Sequence, residues 1–369
     1  MGTSSILDLQ SFVLNRFPYP SSLYKYAVDL VEGNSPNSLL FNIITNSNKW
    51  NNSHSGTDFK VPFFNKFYIS GLTSKFTFRN ITNEILKISN KDMPSIIHLV
   101  SPFASPVFTH RYPITVTIHD SPKALFKQGL YRMEKETLRD YSIRMKLTKH
   151  LYKSAMKLPA LCTNSYYVAD SMREFGYGGK LSVLPPPVSR SFKPLSNKNE
   201  IRLKLGLPLD RILILSVSID EVRKNLDMVK MVANATKDWA SVVRIGSDIG
   251  SGYTFNSVDD YKMNLIYNAC DVLLMPSIEE GFGNPIVESF EVGLPVVASN
   301  LKVFKEVAKD SVIFVEENTV DSYVDGVKQA LDQKEKLVKS GMQRVKEFEM
   351  ERFASKVHKT YASIEDEYR

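Results

Sequence analysis

Two carboxylates, Glu280 and Glu288, flank a glycine-containing turn in the segment Pro276–Asn300, PSIEEGFGNPIVESFEVGLPVVASN. The apolar run Asp271–Met275 before it is too short for a helix and is closed by Pro276–Ser277, so it reads as a buried strand. Gly281 and Gly283 let the backbone turn sharply and approach a ligand without a Cβ in the way. Asn284 suits a helix N-cap, Pro285 the first helical position and Gly293 a left-handed C-terminal cap. Strand, loop and helix N-terminus together aim backbone N–H groups and a positive dipole end at one point, which suits a phosphate. Carboxylates repel phosphate. Glu280 in the loop and Glu288 in the first helical turn therefore suit neutral hydroxyls of a sugar and a ribose, and the string reads as a nucleotide-sugar pocket.

A second chemical group lies in Ser218–Asn225 (SIDEVRKN), directly after the apolar strand Ile212–Val217. Side chains there sit at the carboxyl edge of a sheet, where ligands bind in open α/β folds. Arg223 and Lys224 are placed to neutralise a diphosphate. His119 and Asp120 likewise follow a strand, Ile114–Ile118.

The elements that must position these groups alternate strand and helix, the pattern of parallel α/β domains. Ser95–Ser101, Ile114–Ile118, Ala160–Asn164 and Ser182–Leu184 read as strands, with Leu39–Thr45 and Phe67–Ser70 extended. Arg132–Lys157, free of Gly and Pro, reads as helix. A boundary is expected near Pro194–Asn199. Beyond it come a helix at Glu200–Leu205, strands at Ile212–Val217 and Ser241–Ile245, and a helix at Lys262–Cys270 capped by Asp259–Asp260. After the central motif follow strands at Val296–Ala298 and Val312–Val315, then a largely helical Glu317–Arg369. The expected domains are 1–196, 197–350, and 351–369 as a terminal helix packing back on the first.

Charge divides unevenly: residues 1–200 hold 25 Lys and Arg against 13 Asp and Glu, the remainder 22 against 27. Such asymmetry implies different partners for the two halves. An anionic or lipid-linked acceptor, with peripheral membrane association, is the expectation for the basic half. Its strongest segment is Arg139–Lys157, where Arg144, Lys146, Lys149, Lys153 and Lys157 accompany apolar residues in an amphipathic pattern. No nucleic-acid-binding motif is present. No apolar run is long enough to span a bilayer, and the two isolated cysteines, Cys162 and Cys270, read as buried thiols of a cytoplasmic protein. Sparse histidine and the lack of an Asp-x-Asp at a strand end argue against a metal site, and no cofactor is expected.

The run EGFGNPIVE, continuing into VGLPVVAS, resembles the E-x7-E signature of retaining glycosyltransferases of family 4. The resemblance covers roughly residues 95–330. It implies a GT-B architecture, two Rossmann-like domains with parallel sheets facing an interdomain cleft. By that likeness Glu280 contacts the donor sugar, the loop Gly281, Phe282, Gly283 and Asn284 meets sugar and diphosphate, and Glu288 binds ribose. Lys224, with Arg223, takes the diphosphate, and His119 faces the donor sugar. The chain departs from the family pattern in three places. Ser218 stands where an Arg is frequent, Asn15–Ser22 lacks the usual glycines, and Pro186–Ser189 replaces an N-G-V-D sequence. The implied reaction is metal-independent front-face transfer. A non-catalytic nucleotide-sugar binder, or another GT-B enzyme such as an epimerase or phosphorylase, remains open.

Overall fold

The computed structural model describes residues 11–15, 22–33, 38–44, 57–60, 96–102, 113–127, 129–133, 135–250, 252–256 and 258–368. The expected strand Phe67–Ser70 and most of the glycine-free segment Asn15–Ser22 lie outside them. Two compact units result: Met1–Phe126, Thr137–Pro186 and Met350–Arg369 form one, Lys127–Glu136 and Pro187–Glu349 the other.

In the first unit seven strands run in the order β3-β2-β1-β4-β5-β6-β7. They are β1 (Ser11–Asn15), β2 (Ser38–Ile44), β3 (Thr57–Lys60), β4 (Ile96–Leu99), β5 (Ile114–Ile118), β6 (Ala160–Thr163) and β7 (Lys180–Val183). Every pairing is parallel. β4, β5 and β6 are buried at every position, which is why they read as apolar runs without alternation. The helices are α1 (Ser22–Gly33), α2 (Pro122–Leu125), α3 (Leu138–Ala155) and α4 (Tyr166–Glu174). Thr137 caps α3 by accepting from the Asp140 N–H at 3.1 Å. The helix therefore starts later than the sequence suggests: Arg132 and Met133 lie instead in an extended segment paired elsewhere, a tertiary override of local propensity.

The last helix of the chain, α12 (Met350–Tyr368), belongs to this first unit. Its buried residues Phe353, Val357, Tyr361 and Ile364 join Tyr26, Ala27 and Leu30 of α1 and Ile96 of β4 in one core. Each such large side chain contributes about 1.5–3 kcal/mol on burial. One polar pin crosses that core. His98 of β4 bonds the Tyr361 hydroxyl through Nδ1 at 2.9 Å and Thr117 Oγ1 through Nε2 at 2.6 Å.

In the second unit six strands, all parallel, follow the order β10-β9-β8-β11-β12-β13. They are β8 (Ile212–Val217), β9 (Ala240–Ile245), β10 (Tyr253–Phe255), β11 (Val272–Met275), β12 (Val296–Ser299) and β13 (Ile313–Val315). The helices are α5 (Lys198–Leu205), α6 (Leu226–Thr236), α7 (Asp260–Ala269), α8 (Asn284–Val292), α9 (Lys302–Ala308), α10 (Val320–Asp332) and α11 (Lys334–Arg344). Asp259 caps α7, accepting from the Lys262 N–H at 2.7 Å. The α/β class and the two Rossmann-like sheets expected from the sequence are what the chain forms. From β8 the chain winds outward to β10, then returns to β11 on the other side of β8. The order reverses between β8 and β11, and loops diverge from their carboxyl ends there to leave a crevice.

Candidate active site

The loops after β8 and β11 meet at that switch point. After β8, Val222–Lys224 forms a short 3₁₀ turn ending at Asn225, which is left-handed at φ 54° and starts α6. The Asn225 amide donates to Pro276 O at 3.0 Å, fastening the turn to the end of β11. The Ile278 N–H donates to Arg223 O at 2.7 Å, making the two loops one frame.

Within that frame Glu280 is the hub. Its Oε2 accepts from Arg223 Nη1 at 2.7 Å, and its Oε1 from Lys224 Nζ at 2.5 Å and Ser277 Oγ at 3.0 Å. Burial pushes the carboxyl pKa up, but Lys224 and Arg223 outweigh it and hold the value at about 2, so the group is a carboxylate at any working pH. Burial pulls the Lys224 ammonium below its ordinary range, and Glu280 opposes that pull. Arg223 also bonds Glu221 Oε2 through Nε at 2.6 Å, and its guanidinium lies 4.7 Å from the centre of the Tyr131 ring.

Beside this hub, α8 begins at Asn284 and not after it. Gly283 is the N-cap, at φ 103°, with no side chain to bond the first turn. Asn284 is thus the first helical residue, a shift of one from the sequence reading. The packing explains it: a Cβ at position 283 would stand 2.8 Å from Phe304 Cε1, so only glycine fits the left-handed cap. Phe282 turns its ring inward, edge-on to Phe348 at 5.6 Å, leaving its backbone as the part suited to a ligand. Gly281 and Phe282 are buried, Asn284 half-buried.

Glu288, one turn into α8, accepts from the Tyr267 hydroxyl of α7 at 2.5 Å. Ser218 follows β8, and its hydroxyl has no hydrogen-bond partner among the described residues. Arg244 of β9, fully buried, donates to Ser218 O at 2.6 Å and Ile245 O at 2.9 Å and lies 3.7 Å from Asp220. Gly246 makes room for this contact. A Cβ there would approach Ser218 O to 2.4 Å. Arg244, Tyr267, Tyr131 and Glu221 were not among the residues the sequence singled out. Only Arg244 left a trace in it, as a charge inside the apolar strand ASVVRI.

His119 lies in the first unit, just past β5. Its Nε2 donates to Val100 O at 2.7 Å, its own carbonyl accepts from Asn164 at 3.0 Å, and Tyr26 meets the ring edge-on at 4.9 Å. Burial lowers its pKa, against the Val100 bond and Asp120. It is a neutral imidazole with Nδ1 left as acceptor. Among the described residues no group of three His, Cys, Asp or Glu side chains could hold a metal, and no helix is long and apolar enough to cross a membrane.

Comparison with known proteins bears on the fold. O-antigen chain mannosyltransferase B of Escherichia coli is 31% identical over 107 residues, and the chain matches just 28% of that protein's length. Sucrose-phosphate synthase from Thermosynechococcus elongatus superposes with a TM-score of 0.76 at 16% identity, over 96% of this chain and 98% of that one. HepE of Anabaena in complex with UDP-glucose gives 0.71 at 13%, over 96% and 99%. The fold is GT-B. Residues 253–344, which contain Glu280, Glu288 and the whole of α8, match the family model described as Glycosyl transferases group 1.

Proposed function

We propose that this chain is a glycosyltransferase that moves a hexose, with retention at the anomeric carbon, from a nucleoside-diphosphate sugar to a hydroxyl of a lipid-linked saccharide. The observation that carries the reading is the Glu280 carboxylate held between Arg223 and Lys224 at the β8/β11 switch point, beside the uncapped start of α8. The UDP-glucose bound to HepE and the O-antigen chemistry named for the Escherichia coli relative support the two substrate classes.

In this reading Glu288 takes the ribose hydroxyls and Glu280 the donor sugar. Gly281, Phe282, Gly283 and Asn284 offer backbone to sugar and diphosphate, and Ser218 lies at the phosphate end. The acceptor oxygen bonds to the anomeric carbon from the face the diphosphate leaves. The carbon–oxygen bond to the diphosphate breaks, and the acceptor proton passes to a leaving phosphate oxygen. The products are the glycoside and the free nucleoside diphosphate. Charge on the leaving group is met by Lys224 and the α8 dipole without a metal, so the protein supplies positioning and preorganised electrostatics.

A thermal-shift panel of UDP-, GDP- and ADP-hexoses tests donor binding, since a ligand at 100 times its Kd adds about 2.7 kcal/mol. The stabilising donor should release nucleoside diphosphate slowly without acceptor and equally well in EDTA. No stabilisation by any donor overturns the reading. Stabilisation without turnover favours a non-catalytic binder, and loss in EDTA restored by Mn²⁺ or Mg²⁺ overturns metal independence.

A further inference from the structure

Residues 127–136 join α2 to α3, two helices of the first unit, yet they pack as part of the second. Met133 forms an antiparallel bridge with Glu221. The Val222 N–H donates to Arg132 O at 3.1 Å and the Arg223 N–H to Leu130 O at 3.0 Å. Tyr131, 3% exposed, lies between these bonds with its ring over the Arg223 guanidinium. The strap therefore grips the same short turn that carries both cations.

The two cations differ in how they are held. Arg223 is engaged through Nε by Glu221, through Nη1 by Glu280 and by Glu279 O at 3.2 Å, and across its face by Tyr131. A planar fork held on several sides does not change partner without breaking all of these contacts. Lys224 is a point charge on a flexible stem, and Glu280 is the sole hydrogen-bonding partner of its ammonium among the described residues. We propose that Tyr131 is a positioning residue that keeps Arg223 as the permanent counter-ion of Glu280, and that Lys224 alone exchanges Glu280 for the donor diphosphate. This rests on the nucleotide-sugar reading above and divides the work of its cation pair. A cation over an aromatic face gains most where water is excluded, as here. Loss of the ring lets the guanidinium turn and Glu280 lose its aim at the sugar, while diphosphate binding through Lys224 persists. The residue that aims Glu280 is thus contributed by the sequence of the N-terminal half.

The test has two arms. In the first, a double-mutant cycle in urea pairs Tyr131→Leu with Glu280→Gln, and Tyr131→Leu with Glu288→Gln as control. Leu keeps apolar volume without a π face, so the variant retains its packing. Coupling of at least about three-fold in the folding constant is expected for the first pair and additivity for the control. Absence of coupling with Glu280 overturns the proposal and leaves glycosyl transfer untouched. In the second arm, donor hydrolysis and nucleoside-diphosphate binding are measured with whichever UDP-, GDP- or ADP-hexose stabilises the protein most. Tyr131→Leu should lower kcat at least about ten-fold with the diphosphate Kd within about three-fold, and Tyr131→Phe should restore kcat. Lys224→Ala should instead weaken diphosphate binding. Parallel loss of kcat and diphosphate affinity in Tyr131→Leu would make Arg223 a phosphate ligand and overturn the division. Turnover of no donor by the wild type overturns the reading itself, and the positioning role with it.

Discussion

Tyr267 donates its hydroxyl to Glu288 Oε2 at 2.5 Å, so the carboxylate proposed for the ribose is oriented by a fully buried phenol on the neighbouring helix. Burial, then the Glu288 charge, raises the phenol pKa well above its ordinary value, which keeps it a donor across the working range. The same ring stands against Phe192 at 5.1 Å. Tyr267→Phe keeps the ring and deletes only the donor. We expect it to weaken nucleoside-diphosphate binding about 10- to 150-fold, since a hydrogen bond to a charged group nets roughly 1.5–3 kcal/mol. Discrimination against the 2′-deoxy nucleotide should fall with it. Calorimetric titration with both nucleotides measures this, and unchanged affinity and discrimination would remove Glu288 from the ribose site.

Lys224→Ala should cut turnover by about 100-fold or more, which corresponds to about 2.7 kcal/mol of lost transition-state stabilisation. Charge on a departing diphosphate is largest in the transition state, so kcat should suffer along with binding. Steady-state kinetics would contradict the assignment if kcat stayed within a few-fold of wild type.

For Glu280 the informative variant is Gln. Alanine would leave Arg223 and Lys224 buried without their shared carboxylate, at a cost of about 3–5 kcal/mol, and would mix folding with function. Glu280→Gln should abolish transfer while largely keeping nucleoside-diphosphate affinity. Loss of affinity equal to that of Glu288→Ala would merge two roles that we separate.

His98 makes a prediction about acid. Burial, with a smaller contribution from His119, depresses its pKa from 6.5 to about 3. Below pH 6.5 the unfolded chain binds a proton that the folded one refuses, so stability is full above 6.5 and falls as pH drops toward 3. His119, lowered in the same direction, adds to the slope. Urea denaturation of wild type at pH 7.5, 6 and 5 should show the decline, and His98→Asn should show less of it. An equal slope in the variant would exclude His98 as a source.

Helix α3 presents Arg139, Lys146, Lys149 and Lys153 as exposed residues, with Leu138 and Ile143 also exposed and Lys157 exposed just past its end. A basic face edged by apolar side chains suits an anionic bilayer surface. Salt-sensitive co-sedimentation with phosphatidylglycerol vesicles is expected, and reversal of Lys146, Lys149 and Lys153 to Glu should abolish it. Failure to sediment at low salt, with efficient transfer to a soluble neutral acceptor, would assign these charges to ordinary solvation.

How legible the site was depended on how local its causes are. The β11–loop–α8 string could be read because turn chemistry, capping and strand termination act within a few residues of Glu280. The one-residue error at its cap came from Phe304, whose ring decides between Gly283 and Asn284 and lies beyond any local window. Tyr267 and Arg244 reach the site from neighbouring helices and strands across 21 and 26 residues, and neither carries a motif. The misread start of α3 has the same origin. Nothing in Arg132–Glu136 opposes a helix locally; its bridge to Glu221 does. The α/β class was legible because strands such as β4, β5, β6 and β11 are buried at every position and spell out their own apolar runs.

The place of α12 in the core beside α1 bears on how the chain is made. Tyr26 and Leu30 leave the ribosome early, but Phe353, Tyr361 and Ile364, which cover them, are translated only after all of Pro187–Glu349. The usual order of synthesis, in which the N-terminal domain folds first, is thus inverted. The second unit can close on itself while the first still waits with an uncovered apolar face. During that interval the nascent first unit is the part that a chaperone must guard.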